Sequence, residues 1–206
     1  MSGRAAEAYG ERGTTWVDRF GVWLSQRAIR RWLPDRPGLE VLELGCGYHA
    51  ANLVHLPASV ARATAVDFRL APGLRVDPRL ELHEGPIEDI LPTLAPGRFD
   101  VVLMISVLEH LHDPLAALHA ARVVMRPGGL LLVNVPTWRG KAFLEFSAFR
   151  LGLSPAVEMD DHKNYYDTRD LWPLLVRAGF RPSRIRLRYH KFGLNLFGAV
   201  TRSDDA

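Results

Sequence analysis

Apolar residues along the chain form short runs set between glycine, proline and charged positions, and one longer segment of helical spacing precedes them. In that segment Trp16, Phe20, Trp23 and Leu24, then Ala28, Ile29, Trp32 and Leu33, recur at three- and four-residue intervals. The spacing predicts a helix within 14–33, broken near Gly21 and ended by Pro34 and Pro37, with its tryptophans against the core. Val41 to Leu44 reads as a buried strand that enters a turn at Gly45 and Gly47. Ala50 to Leu56 is expected to form the next helix, and Arg62 to Val66 a second strand ending at Asp67. Together they make a βαβ unit with a right-handed crossover.

Further strands are expected at Leu80 to His83, Phe99 to Ile105 and Leu130 to Val135. The clearest, Phe99 to Ile105, belongs at the centre of the sheet. A short helix is expected around Ile87 to Leu91, and a longer one starts at Asp113-Pro114 and runs to Met125. Pro127-Gly128-Gly129 closes it. Past Pro136 the alternation lapses, and residues 138–167 read as an insertion over the strand ends, with Phe143, Phe146 and Phe149 at helical spacing. A helix at Thr168 to Ala178, capped by Gly179, and an antiparallel hairpin of Arg184 to Phe192 and Asn195 to Thr201 complete the pattern. The expected architecture is α/β and doubly wound, with a mostly parallel sheet and an antiparallel last strand.

The 206 residues suit one domain spanning 1–206. A hydrophobic share of 48% with 24% charged residues is that of a globular protein. The single cysteine, Cys46, excludes an internal disulfide, and with no secretion-like leader it points to the cytoplasm. No apolar run approaches the length that spans a bilayer, so any membrane association is expected to be peripheral. The net charge of +3 comes mainly from two arginine groups, at 27, 30, 31 and 36 and at 181, 184, 186 and 188. Both read as solvated faces, with attraction of an acidic substrate as the alternative. Nucleic acid is not expected, because no binding motif accompanies the charge.

Candidate chemistry starts at the glycine turn. Gly45-x-Gly47-x-x-Ala50 followed by Asp67 satisfies the dinucleotide fingerprint, which by itself leaves an NAD-type oxidoreductase open. Glu43 before the first glycine, Leu108-Glu109-His110 after the fourth strand, Pro127-Gly128-Gly129 before the fifth and the terminal hairpin point elsewhere. On these residues the chain resembles the class I S-adenosylmethionine-dependent methyltransferases, in particular the small-molecule, type 11-like branch with a motif like SVLEHLHDP. The likeness covers about 38–135, and 162–201 in general layout.

The resemblance implies a Rossmann-like sheet of seven strands, S-adenosyl-L-methionine as cofactor and S-adenosyl-L-homocysteine as product. It places Glu43, Gly45, Cys46 and Gly47 at the methionine part of the cofactor, Asp67 on the ribose hydroxyls with Phe68 beside it, Ile87 on the adenine face and Ile105 at the strand end. The chain departs from the family pattern at His49, in place of a third small residue, and at Pro86, where an adenine-binding Asp is frequent; Glu88 and Asp89 are the substitutes at hand.

Methyl transfer needs an aligned acceptor and, where the acceptor carries a proton, a base. His110 is the first candidate for that role and His112 the second; His162, opening His162-Lys163-Asn164-Tyr165-Tyr166, is another. Asp160 and Asp161 lack supporting ligands, so no metal is expected. The expected activity is methylation of a small molecule, at oxygen first, in a biosynthetic pathway. The alternatives are the oxidoreductase and a non-catalytic cofactor-binding partner subunit. Oligomeric state is left open.

Overall fold

The computed structural model describes residues 8–11, 13–141 and 164–203. Seven strands, β1 (Leu39–Leu44), β2 (Val60–Asp67), β3 (Leu80–Glu84), β4 (Phe99–Ile105), β5 (Met125–Pro136), β6 (Ile185–His190) and β7 (Asn195–Thr201), form one sheet in the order β3-β2-β1-β4-β5-β7-β6. All are parallel except β7, which runs against both β5 and β6. The central strand is β4, buried except for Ile105.

Both faces of the sheet are covered, which is why its strands read as continuous apolar runs. Leu42, Leu44, Val102 and Met104 pack on one face with Leu118 of α3 (Pro114–Val124) and Leu171 and Leu175 of α4 (Thr168–Arg177). Their immediate neighbours Val41, Val101 and Leu103 pack on the other face with Leu53 and with Ile29 of α1 (Trp16–Trp32). The alternation is the period-two signature of a strand. A short α2 (Ile87–Ile90) follows β3. Helix starts follow the sequence signals: Thr15 and Asp18 form a capping box, and Asp113 accepts from the amide of Ala116 ahead of Pro114.

Three expectations are corrected. First, α1 is continuous through Gly21, and of its three tryptophans only Trp32 packs against the core, half-buried; Trp16 and Trp23 are exposed, while Ser25 and Ile29 are the buried side. The small residues Gly21 and Ser25 let the helix approach closely, and geometry then sends the aromatic stripe outward. Second, Ala50 to Leu56 is a series of turns, with bonds from Ala50 N to Gly47 O and from Leu53 N to Ala50 O. Ala50 has a left-handed φ of 44°, which stops a helix from propagating. Third, β5 begins at Met125, not Leu130, because Met125 pairs with Phe99 before the register shifts at the proline-glycine segment. Of the insertion expected over 138–167 only the flanks are described; Phe143, Phe146, Phe149, Asp160, Asp161 and His162 lie outside the described residues.

The N-terminal end of the sheet is held by Asp100. Its buried carboxylate accepts from Arg36 at 2.5 Å, from Arg126 at 2.8 and 2.9 Å and from the Glu40 amide at 2.8 Å. Burial opposes ionisation there, but these donors outweigh it and hold the carboxyl below its ordinary range. The opposite end, where β1, β2, β4 and β5 finish, is left for a site.

Candidate functional site

Beyond Leu44 the chain turns sharply. Gly45 and Gly47 have φ of 69° and 74°, conformations that side chains rarely adopt. The amides of Gly45 and Cys46 donate to Val66 O at 2.8 and 3.2 Å, tying the turn to β2. Space also demands glycine: a Cβ on Gly45 would stand 2.5 Å from Cγ2 of Val107, and one on Gly47 would stand 3.1 Å from the carbonyl of Tyr9. The N-terminal stretch thus lies over the turn, where Tyr9 O accepts from Tyr48 N at 2.9 Å and Glu11 pairs with Arg69 at 2.5 Å. His49 is exposed, its ring edge-on to Tyr48 with centroids 5.0 Å apart.

Two carboxylates converge on this turn. Glu43 is fully buried; its Oε1 accepts from Asn52 at 2.6 Å and its Oε2 has no partner. Burial pushes its pKa up to about 8, against the Asn52 hydrogen bond and with a smaller push from Asp67. Asp67 accepts from Gly47 N at 2.7 Å and from Phe68 N at 2.8 Å, one bond on each oxygen. Burial raises its pKa and these two amides oppose the rise. Each oxygen retains a second lone pair. Cys46 is buried within the turn, and burial together with Glu43 and Asp67 pushes its thiol far up, so it is no nucleophile. Phe68 is exposed beside Asp67. Ile87 is buried at the start of α2, where Glu88 and Asp89 are exposed.

The neighbouring strand ends form a second group. Ile105 is half-buried, and Ser106 after it is held at φ 56°, its amide donating to Asn134 O at 2.8 Å. Asn134 is fully buried on β5; its amide nitrogen donates to Ser106 Oγ at 3.4 Å and its Oδ1 has no partner. The amide of His110 donates to Val107 O at 3.0 Å, placing a half-buried imidazole in this turn, whereas His112 is exposed. Glu109 is buried with Oε2 unpartnered, and burial pushes its pKa up to about 8 despite its own backbone amide and the charge of Lys191.

Lys191 comes from the β6–β7 turn, where it and Phe192 both adopt left-handed φ, 48° and 60°. Burial pushes its pKa down to about 8, with Glu109 opposing. The turn is fastened to the end of β5: Thr137 N donates to Leu194 O and Thr137 Oγ1 to Gly193 O, both at 2.9 Å. Residues 164–166 close the loop from the other side, through Asn164 N to Glu109 O at 3.2 Å and Tyr166 Oη to Leu108 O at 3.3 Å.

The structure therefore brings Glu43, Gly45, Cys46, Gly47, Asp67 and Phe68 into one cluster, and sets Ile105 and His110 at the adjacent strand end. Asn134 and Lys191 join them without having been expected, and Tyr166 joins as the end of the stretch that His162 opens. Asn134 carried a signal, a lone amide closing the run Leu130 to Val135; Lys191 carried none, since its pattern is that of an ordinary strand residue. Among the described residues, no group of three or more His, Cys, Asp or Glu is arranged to hold a metal ion.

A family model described as a methyltransferase domain matches residues 17–183. The chain is 32% identical over 147 residues to a ubiquinone biosynthesis O-methyltransferase of Azotobacter vinelandii, covering 63% of this chain and 61% of the relative. To the protein of that name from Dinoroseobacter shibae it is 31% identical over 155 residues, covering 70% of this chain and 61% of the relative. The chain thus spans about six-tenths of these curated relatives. The solved structure of the Burkholderia thailandensis 1,6-didemethyltoxoflavin N1-methyltransferase, with bound 1,6-didemethyltoxoflavin and S-adenosylhomocysteine, aligns over 92% of this chain and 81% of that one, with a TM-score of 0.66 and 20% identity. An S-adenosylmethionine-dependent methyltransferase of Mesorhizobium loti aligns over 90% of this chain and 100% of that one, with a TM-score of 0.66 and 14% identity. At these identities the structural likeness is one of fold.

Proposed function

The chain belongs to the class I S-adenosylmethionine-dependent methyltransferases, and on that premise we propose that it transfers a methyl group from S-adenosylmethionine to a small molecule, at oxygen, within a biosynthetic pathway. The observation that carries the reading is the glycine turn with its two buried acids: a backbone stripped of Cβ atoms, flanked by an unpartnered oxygen of Glu43 and by spare lone pairs on Asp67. These residues fit the cofactor. Glu43 would hold its cationic methionine end across Gly45 and Gly47, Asp67 and Phe68 would take the ribose side, and Ile87 would pack toward adenine. Cys46 lines the turn as a neutral, inert side chain.

The sulfonium of the cofactor supplies an electrophilic methyl group. What the protein adds is alignment and proton removal. His110, on the loop after β4 and half-buried, contacts the acceptor and takes its proton. Ser106, held in a left-handed conformation against Asn134, shapes the floor on which the acceptor rests. Oxygen as acceptor and a biosynthetic role are supported by the two O-methyltransferases reported above. A cytoplasmic place and a single domain over 1–206 are part of the same reading, supported by the lone free cysteine and the single sheet.

Titration calorimetry with S-adenosylhomocysteine, followed by turnover with a radiolabelled methyl donor across a panel of hydroxylated acceptors, tests this. Micromolar binding and label in an acceptor are expected. Absence of binding would sink the reading, and binding without transfer to any acceptor would leave a non-catalytic partner subunit.

A further inference from the structure

The outward face of α1 is exposed. At 100° per residue, Trp16, Phe20, Trp23, Arg27 and Arg31 lie in one stripe, opposite the buried Ser25 and Ile29. Trp16, Phe20 and Trp23 are 73%, 47% and 51% exposed. The rings of Phe20 and Trp23 stack with centroids 5.8 Å apart and planes 18° from parallel, so the apolar surface is continuous, not scattered. The β6–β7 turn stands off this stripe, on the side of Gly21, where Lys191 Nζ is 3.7 Å from the place a Cβ would take. A contiguous aromatic surface of this kind marks an interaction site.

The second half of the same stripe is cationic. Arg27 and Arg31 are exposed, and Arg30 beside them is exposed while donating to His55 O at 2.8 Å. The one carboxylate of the helix, Asp18, lies off the stripe and is engaged in the N-terminal capping box. The face therefore offers aromatic rings for about two turns and then guanidinium groups, with no negative charge among them. An aromatic wedge beside arginines is what the boundary between acyl chains and anionic headgroups accepts: the rings enter the boundary and the arginines stay at the phosphates. A helical partner would supply an apolar groove but no reason for the arginines, and a second copy of this face would set like charges against each other. Among the described residues no helix is long and apolar enough to cross a membrane, so the attachment is peripheral.

We propose that the outward face of α1 seats this protein on an anionic bilayer surface.

Cosedimentation of the full chain with phosphatidylcholine vesicles containing about one-third phosphatidylglycerol tests the proposal. Binding is expected that falls with added salt and is weak on phosphatidylcholine alone. The combined change Trp16→Ser, Phe20→Ser, Trp23→Ser should lower the partition at least about tenfold, and Arg27→Glu with Arg31→Glu about fivefold or more for each charge. Thermal melts of each variant check folding. With the unaltered protein, lipids brominated on the acyl chain should quench tryptophan emission, a readout that needs no variant. Unaltered protein left in the supernatant with anionic vesicles, the triple variant sedimenting like the parent, or no quenching would each overturn the proposal. So would a vesicle-indifferent protein whose self-association the triple variant abolishes, which would make the face a contact between copies.

Discussion

Replacing Glu43 with glutamine removes a buried acid while keeping its shape and its bond from Asn52. In the folded protein the Glu43 pKa is about 8, against an ordinary value of 4.5. Between those values the folded state binds more protons than the unfolded chain, so stability falls as pH rises, by up to about 1.4 kcal/mol per pH unit. From about pH 5.5 to 7.5 that amounts to about 2.7 kcal/mol for this group. In a domain of this size it corresponds to a midpoint about 5–11 °C lower. Glu109, also raised to about 8, doubles the loss over the same window. Other groups do not interfere. Glu81, held down to about 2 mainly by Arg98, acts at lower pH, and His190, lowered by burial, titrates alike in parent and variant and cancels in the difference. Thermal melts in a pH series at constant ionic strength should therefore show the Glu43→Gln slope less steeply falling than the parent's by about 1.4 kcal/mol per pH unit. The double variant with Glu109→Gln should differ from the parent by about twice that. If Glu43→Gln runs parallel to the parent, Glu43 is ionised in its buried place and the account of the site's electrostatics fails.

Gly45→Ala should cost about 2–4 kcal/mol in urea unfolding, from the left-handed backbone and the overlap with Val107; adding Val107→Ala should restore the steric part, and no recovery would mean that the strain is all in the backbone. Asp67→Ala should weaken S-adenosylhomocysteine binding at least about tenfold by calorimetry, and unchanged affinity would remove Asp67 from the cofactor site. His110→Ala is expected to lower turnover about a hundredfold with little effect on cofactor affinity; equal turnover in variant and parent would take His110 out of the mechanism.

Most of the sheet was legible because each strand is a short apolar run between breakers, and burial on both faces removes the ambiguity of which residues point inward. The turn after β1 was legible for the same local reason, since Glu43, Gly45, Gly47 and Asp67 act within one βαβ-like unit. The failures have long-range causes. In α1 the pattern offers two stripes, one aromatic and one of Gly21, Ser25 and Ile29, and hydrophobicity alone favours the aromatic one. Close approach favours the small residues, and closeness to the sheet is not written in the helix itself. Ala50 to Leu56 has a composition that a helix tolerates, but its entry is set by Ala50 in a left-handed conformation beneath an N-terminal segment whose Tyr9 O accepts from the Tyr48 amide. Lys191 and Glu109 meet only because the hairpin folds back across β5, and neither has a local signature.

The placing of β7 between β5 and β6 has a consequence in time. A chain made from its N-terminus can pair β1 to β5 as each emerges, but β6 has no neighbour in the sheet until β7 follows it. Until then the edge of β5, with Leu131 to Val135 all destined for burial, stands open. The last strand is therefore a closing piece: it covers that edge, carries β6 into register and draws the turn at Lys191 to Gly193 down onto Thr137. A ribosome stalled before residue 195 would hold a finished glycine turn beside an unfinished rim, and an edge ready to pair with another chain.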